Sequence, residues 1–179
     1  MKNNKTNDLK RQLGSFFIDL GSALIIVLII NSFLVQNLRV QGQSMTPMLR
    51  DGDIVLLNKV IYDLKKPQRG DIIGFHSDGL EHKVIKRVVG LPGDKIDFHD
   101  DMIYINNEAV YQIEEGAVTT KGDIKYPYDV PEKSYFVMGD NYNHSIDSRF
   151  NFIGSVQEEQ IIGRVDFRTW PFWENPFLK

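Results

Sequence analysis

The sequence predicts an all-β domain carried on one N-terminal transmembrane helix. Three observations lead there. An apolar stretch runs from Leu13 to Val35, and its densest part, Leu20 to Ile30, holds no charge and only Ser22 as a polar residue. Beyond it, short β-branched runs are cut by turn residues, the pattern of strands and their connections. Only Ser155-Val156-Gln157-Glu158 has the look of a helix start, through its capping-box spacing.

Residues 1–12 form a basic head. Lys2, Lys5, Lys10 and Arg11 against Asp8 give the first eleven residues +3, so the rest of a chain with formal charge -3 carries -6. Residues 13–35 as a helix rise about 1.5 Å each and span about 35 Å, enough for a hydrocarbon core of about 30 Å. Asp19 and Asn31 lie inside the stretch, which places Asp19 toward the inner interface or protonated. A cleavable targeting segment would have a shorter apolar region followed by a small-x-small pattern, whereas Phe33-Leu34-Val35 leads straight into Gln36-Asn37-Leu38. Positive flanks stay in the cytoplasm, so the head is expected inside and residues 36–179 outside, a single-pass arrangement in the cell membrane.

In the body, Asp53 to Leu57 follows the turn Asp51-Gly52, and Asp71 to Phe75 follows Arg69-Gly70. Val84 to Val89 is closed by Gly90-Leu91-Pro92-Gly93, and Asn106-Asn107 joins Met102 to Ile105 with Ala109 to Tyr111 as a hairpin. Tyr135 to Met138 and Arg164 to Thr169 add two strands. Residues 98–134 read as a polar, irregular excursion, a small insert in the domain. The closing Trp170-Pro171-Phe172-Trp173 cluster suits either a lipid interface or ordinary packing.

Composition excludes several chemistries. With pI near 5.8 the chain lacks the basic face that a nucleic-acid binder needs. There is no cysteine, hence no disulfide, thiol nucleophile or cysteine-rich zinc site. His76, His82, His99 and His144 have no metal-ligand spacing, and no serine sits in G-x-S-x-G. No metal and no cofactor is expected.

Two residues carry candidate chemistry. Ser44 lies where an apolar strand breaks at Gly42 and the chain resumes at Pro47, a turn able to present a hydroxyl beside backbone N–H groups. Alone, such a serine more often bonds its own backbone. Lys86 stands on a strand between Val84 and Val88, where poor solvation disfavours the ammonium form. Alone, such a lysine more often snorkels to the surface.

Together the motifs are specific. Gly42-Gln43-Ser44-Met45-Thr46-Pro47 resembles the serine box of type I signal peptidases, and Lys86-Arg87-Val88-Val89-Gly90-Leu91-Pro92-Gly93-Asp94 resembles their lysine box. Arg69-Gly70-Asp71-Ile72-Ile73 is similar to the intervening box, and Gly139-Asp140-Asn141 with Ser145-Ile146-Asp147-Ser148-Arg149 to the fourth. The small insert and cysteine-free body resemble the compact Gram-positive form.

The resemblance implies antiparallel sheets and a serine endopeptidase removing signal peptides from secreted preproteins at Ala-X-Ala-like sites, with cytoplasmic membrane lipid as the other partner. It implies Ser44 as nucleophile, Lys86 as general base, Ser145 orienting the lysine, and Asp147 with Arg149 as a supporting ion pair. By position, Val40, Met45, Leu49, Val84 and Ile85 are expected around the substrate residue before the cut. Leu38, Val55 and Ile85 are expected around the third before it, although Val55 and Leu49 suit plain core equally well. Two departures stand out: Tyr142 occupies a position where relatives often have arginine, and Phe150-Asn151-Phe152-Ile153-Gly154 is longer than their usual spacing. Self-cleaving repressors also pair a serine with a strand lysine, but the dozen residues before the anchor leave no room for a DNA-binding head. A catalytically silent assembly factor would be expected to lack Ser44 or Lys86.

Overall fold

A computed structural model describes residues 2–99, 102–112 and 121–178. Contacts divide the chain into two units, one ending at Gln36 and one beginning at Asn37.

The first unit is a helix, α1 (Lys2–Leu34). It begins well before the apolar stretch because the head contains neither proline nor an early glycine to stop it. Within its segment Arg11–Leu34 an 18-residue window reaches a mean hydropathy of 2.4, and none of that window is buried. Phe16, Phe17, Ile18, Leu24 and Ile29 are all exposed, so this helix is apolar on every side, as a membrane-crossing helix requires. Two of its hydroxyls are satisfied locally: Ser15 donates to the Gln12 carbonyl at 3.0 Å and Ser22 to that of Asp19 at 2.8 Å.

The second unit is built from strands β1 (Val35–Arg39), β2 (Ile54–Asn58), β3 (Ile72–Ser77), β4 (His82–Gly90), β5 (Lys95–His99), β6 (Met102–Ile105), β7 (Glu108–Gln112), β8 (Tyr128–Asp129), β9 (Ser134–Met138), β10 (Val156–Gln157) and β11 (Ile161–Trp170), with a one-turn helix α2 (Ile61–Leu64). The larger sheet has the order β1-β2-β11-β3-β4-β9-β10 and the smaller β7-β6-β5-β8. The described pairings are antiparallel, as in Ile73 opposite Lys86 and Val88 opposite Val137. β3 and β9 are buried on both faces, which explains their unbroken apolar runs.

Two expectations are corrected. Residues 98–134 are not simply irregular. With β5, which starts at Lys95, they build a second sheet over a core of Ile96, Phe98, Ile103, Ile105 and Phe136. Each strand turns half its side chains to solvent, which gave the segment its polar composition. Asn106 and Asn107, with φ of 53° and 70°, make the β6–β7 hairpin turn as read. Residues 113–120 of this insert lie outside the described residues. The capping box near Ser155 starts no α-helix either: Val156 and Gln157 pair with β9, and the box is Gln157 with Gln160 around a single 3-10 turn, because β11 begins at Ile161. Phe172 and Trp173 are exposed and meet edge to face at 5.1 Å.

Candidate active site

The turn carrying Ser44 is tied at both ends. Val40, buried at the end of β1, exchanges backbone bonds with the turn before β2: its N–H donates to Asp53 O at 2.8 Å and its carbonyl accepts from Gly52 at 3.0 Å. Gly42 has φ of +78°, a conformation that costs a side-chain-bearing residue about 1–2 kcal/mol, and donates to the Asp51 carboxylate at 2.8 Å. After Ser44 the chain makes helical turns, Thr46 N–H to Gln43 O at 3.1 Å and Leu49 N–H to Met45 O at 2.8 Å, pinned by buried Met45 and Leu49.

The loop after β9 grips this turn. Asn141 donates its backbone N–H to the Ser44 carbonyl at 2.9 Å and its side-chain amide to Gln43 O at 3.2 Å. The approach needs glycine at 139, where a Cβ would lie 2.4 Å from Ser145 Oγ. Among the described residues, no acceptor takes the Ser44 N–H.

Lys86 is buried, with 3% of its surface exposed, at the centre of β4. Desolvation is the main force on it and lowers its pKa from 10.5 to about 8. The Asp147 carboxylate pulls the other way, Arg149 adds to the lowering, and Asp140 opposes it.

Around these charges is a buried network. Asp147 takes Arg149 Nε at 2.8 Å on one oxygen and Arg149 Nη2 at 2.9 Å on the other. The second oxygen also accepts from the Ser145 hydroxyl at 2.6 Å and from Gly139 N–H at 3.1 Å. Arg149 further donates to the carbonyls of Tyr142 at 2.8 Å and Ser145 at 3.2 Å. The Ser145 proton therefore points at Asp147, and only the hydroxyl's lone pairs are left to face an amine.

A cavity of about 260 Å³ opens beside Ser44, lined by Leu38, Val40, Met45, Val84 and Ile85 among others. Five of the seven nominated substrate-contacting residues are thus together. Leu49 and Val55 are not among its lining: both are completely buried in the cluster with Val40, Met45 and Ile85, behind the cavity wall.

Sequence reasoning missed three supports. Arg87 forms a two-pronged pair with Asp140, both contacts at 2.7 Å, and donates to Gly70 O at 2.9 Å, so the lysine box, the intervening box and the fourth box are joined by one guanidinium. Arg69 pairs with Asp94 at 2.9 Å. Both arginines lie within quoted motifs, and that was the available signal. Buried Arg168, which no motif flagged, donates to the Met48 carbonyl just after the nucleophile turn and pairs with Asp53 at 3.2 Å.

Sequence comparison gives a consistent picture. The family described as "Signal peptidase, peptidase S26" matches residues 13–170. The chain is 38% identical over 167 residues to "Signal peptidase I" of Bacillus caldolyticus, covering 87% of this chain and 90% of that one. It is 33% identical over 186 residues to "Signal peptidase I T" of Bacillus subtilis (strain 168), covering 97% and 95%. It is 30% identical over 187 residues to "Signal peptidase IB" of Staphylococcus aureus, covering 93% and 94%.

Proposed function

The chain belongs to the S26 family of signal peptidases, and from that premise we propose that Ser44 and Lys86 are its reacting pair. The protein is a serine endopeptidase of the membrane that removes signal peptides from preproteins. One observation carries the residue assignment: Lys86 is a buried amine with a lowered proton affinity, beside a loop that also binds the Ser44 backbone.

A lysine with a pKa of about 8 is roughly one-tenth neutral at pH 7, and only the neutral amine has the lone pair to accept a proton. In the acylation step Ser44 Oγ attacks the scissile carbonyl carbon and its proton passes to Lys86 Nζ. The resulting ammonium gives a proton to the departing amine as the C–N bond breaks, leaving an ester on Ser44. Water then attacks the ester, losing its proton to Lys86, and the regenerated serine takes it back. The Ser44 N–H, free of a partner among the described residues, is the proposed donor to the oxyanion, a role worth about 3–4 kcal/mol. Ser145, whose proton goes to Asp147, is assigned to orient the Lys86 amine through its free lone pairs; Asp147 and Arg149 hold Ser145 in place.

The substrate binds as an extended strand at Ala-X-Ala-like sites. Small apolar side chains one and three residues before the cut enter the cavity lined by Leu38, Val40, Met45, Val84 and Ile85. Residues 1–12 lie in the cytoplasm, 13–35 anchor the enzyme in membrane lipid, and 36–179 act outside. The test is cleavage of an Ala-X-Ala peptide by detergent-solubilised protein: wild type cuts at the expected bond, and folded Ser44→Ala does not. Retained cleavage by Ser44→Ala would overturn the assignment.

A further inference from the structure

A second cavity, about 280 Å³ in volume, is lined by Pro47, Met48, Val89, Tyr111, Met138 and Tyr142. Its position relative to the reacting pair can be read on both chain segments. On β4, Val84 and Ile85 line the first cavity while Arg87 and Val89 line the second, so Lys86 falls between them. On the nucleophile segment, Ser44 and Met45 line the first cavity while Pro47 and Met48 line the second. Gly139, whose backbone touches Ser44, also lines the second. Along both segments the two cavities therefore lie on either side of the proposed reacting pair.

The second cavity is chemically selective. Its charged members, Arg87 and Asp140, are spent on each other, and the remaining Arg87 terminal nitrogen is held by Gly70 O. What is left for a visitor is thioether, proline and aromatic surface. Tyr142 supplies part of it, directly after Gly139-Asp140-Asn141, at the position where relatives often carry arginine. The wall is also held in place, because Arg168 binds the Met48 carbonyl and Arg149 that of Tyr142.

We propose that this cavity receives the second residue after the scissile bond and selects a large apolar or aromatic side chain there. The proposal rests on Ser44 and Lys86 being the reacting pair. In an extended substrate, side chains alternate faces at about 3.4 Å per residue. The third residue before the cut, the residue just before it and the second after it all share one face. With the first two in the first cavity, the next inward-facing side chain beyond Ser44 meets the second. The first residue after the cut points away.

The experiment uses full-length protein in detergent and peptides that share Ala-X-Ala before the cut and Ala after it, varying only the second residue after the cut among Ala, Leu, Phe, Asp and Lys. Wild type is expected to cleave the Phe and Leu peptides with kcat/KM about tenfold above Ala, and Asp and Lys below it. Tyr142→Ala and Met48→Ala should bring the Phe-to-Ala ratio close to one, and Tyr142→Phe should keep it. Equal wild-type rates across the series, or a Tyr142→Ala that slows all peptides by the same factor, would overturn the proposal. Ser44→Ala separates the two readings: if it still cleaves, the reacting pair is wrong; if it is inactive while wild type ignores the varied position, only the second cavity's role is.

Discussion

The backbone of Gly139 lies against the Ser44 carbonyl so closely that a β-carbon on Gly139 would stand 2.3 Å from that oxygen. Neither partner can yield cheaply, since the obstructing atom is backbone. Gly139→Ala must therefore displace the nucleophile turn or the loop that carries Asp140 and Asn141. A shift of about 1 Å at the reacting atoms costs on the order of a hundredfold. Cleavage assays should show kcat/KM down by about that factor with the fold retained by circular dichroism. A rate within twofold of wild type would show that this contact does not position Ser44.

Asp147→Asn keeps the shape of the side chain and removes its charge, breaking the buried ion pair with Arg149. Breaking a buried pair in this way costs about 3–5 kcal/mol, so urea unfolding should register a large loss. The pH–rate profile should move as well. Asp147 favours the charged form of Lys86, so its neutralisation lowers the lysine pKa further and shifts the acid limb to lower pH. A limb that moved upward would contradict this electrostatic assignment.

The cavity beside Ser44 and the core behind it should separate in mutants. Wild type is expected to cleave peptides with Ala before the cut and to fail on Phe. Ile85→Ala, which removes cavity wall, should admit larger side chains there. Leu49→Ala and Val55→Ala instead open voids in packed core, at about 2–5 kcal/mol for the leucine, without a new preference at the cut. Cleavage of Phe and Ala substrates at equal rates by wild type would remove the pocket assignment.

Orientation is tested by proteolysis. A protease added outside spheroplasts should digest the body beyond Val35 and spare the basic head. Protection of the body would reverse the proposed topology.

The strand positions were readable because turn residues such as Asp51-Gly52, Asn106-Asn107 and Leu91-Pro92-Gly93 announce themselves locally. β5 and β8 were missed because each is short and half-solvated, and becomes a strand only through its partners. The same limit governed the site. Ser44 and Lys86 sit in strings that could be matched, whereas Leu49 and Val55 were nominated from sequence nearness, and burial is a property of the assembled sheet. Ser145 was expected to face the lysine. The bond its hydroxyl makes is to Asp147, two positions on in a folded loop, a contact that the sequence pattern does not announce. Arg168 joins Met48 across 120 positions of chain, and no local pattern could have signalled it.

Lys86 yields the sharpest expectation, because the same burial that makes it a base makes it a burden on the fold. Its pKa falls from 10.5 to about 8, so the activity should rise on an acid limb near pH 8 as the amine is freed. The folded state holds fewer protons than the unfolded chain between about pH 8 and 10.5, so stability should increase with pH through that window and show the full penalty below it. The penalty amounts to about 3 kcal/mol. Lys86→Met keeps the side chain's length without the charge and should be inactive yet more stable than wild type at pH 7, with the difference shrinking toward pH 10.5. Lys86→Arg should be inactive and less stable, since guanidinium stays protonated throughout this range and its burial cost persists. Urea unfolding at pH 7 and pH 10 beside the pH–rate profile measures both effects on the same proteins. Substantial cleavage by folded Lys86→Arg would mean that the residue acts through its positive charge, and the neutral-amine mechanism would have to be given up.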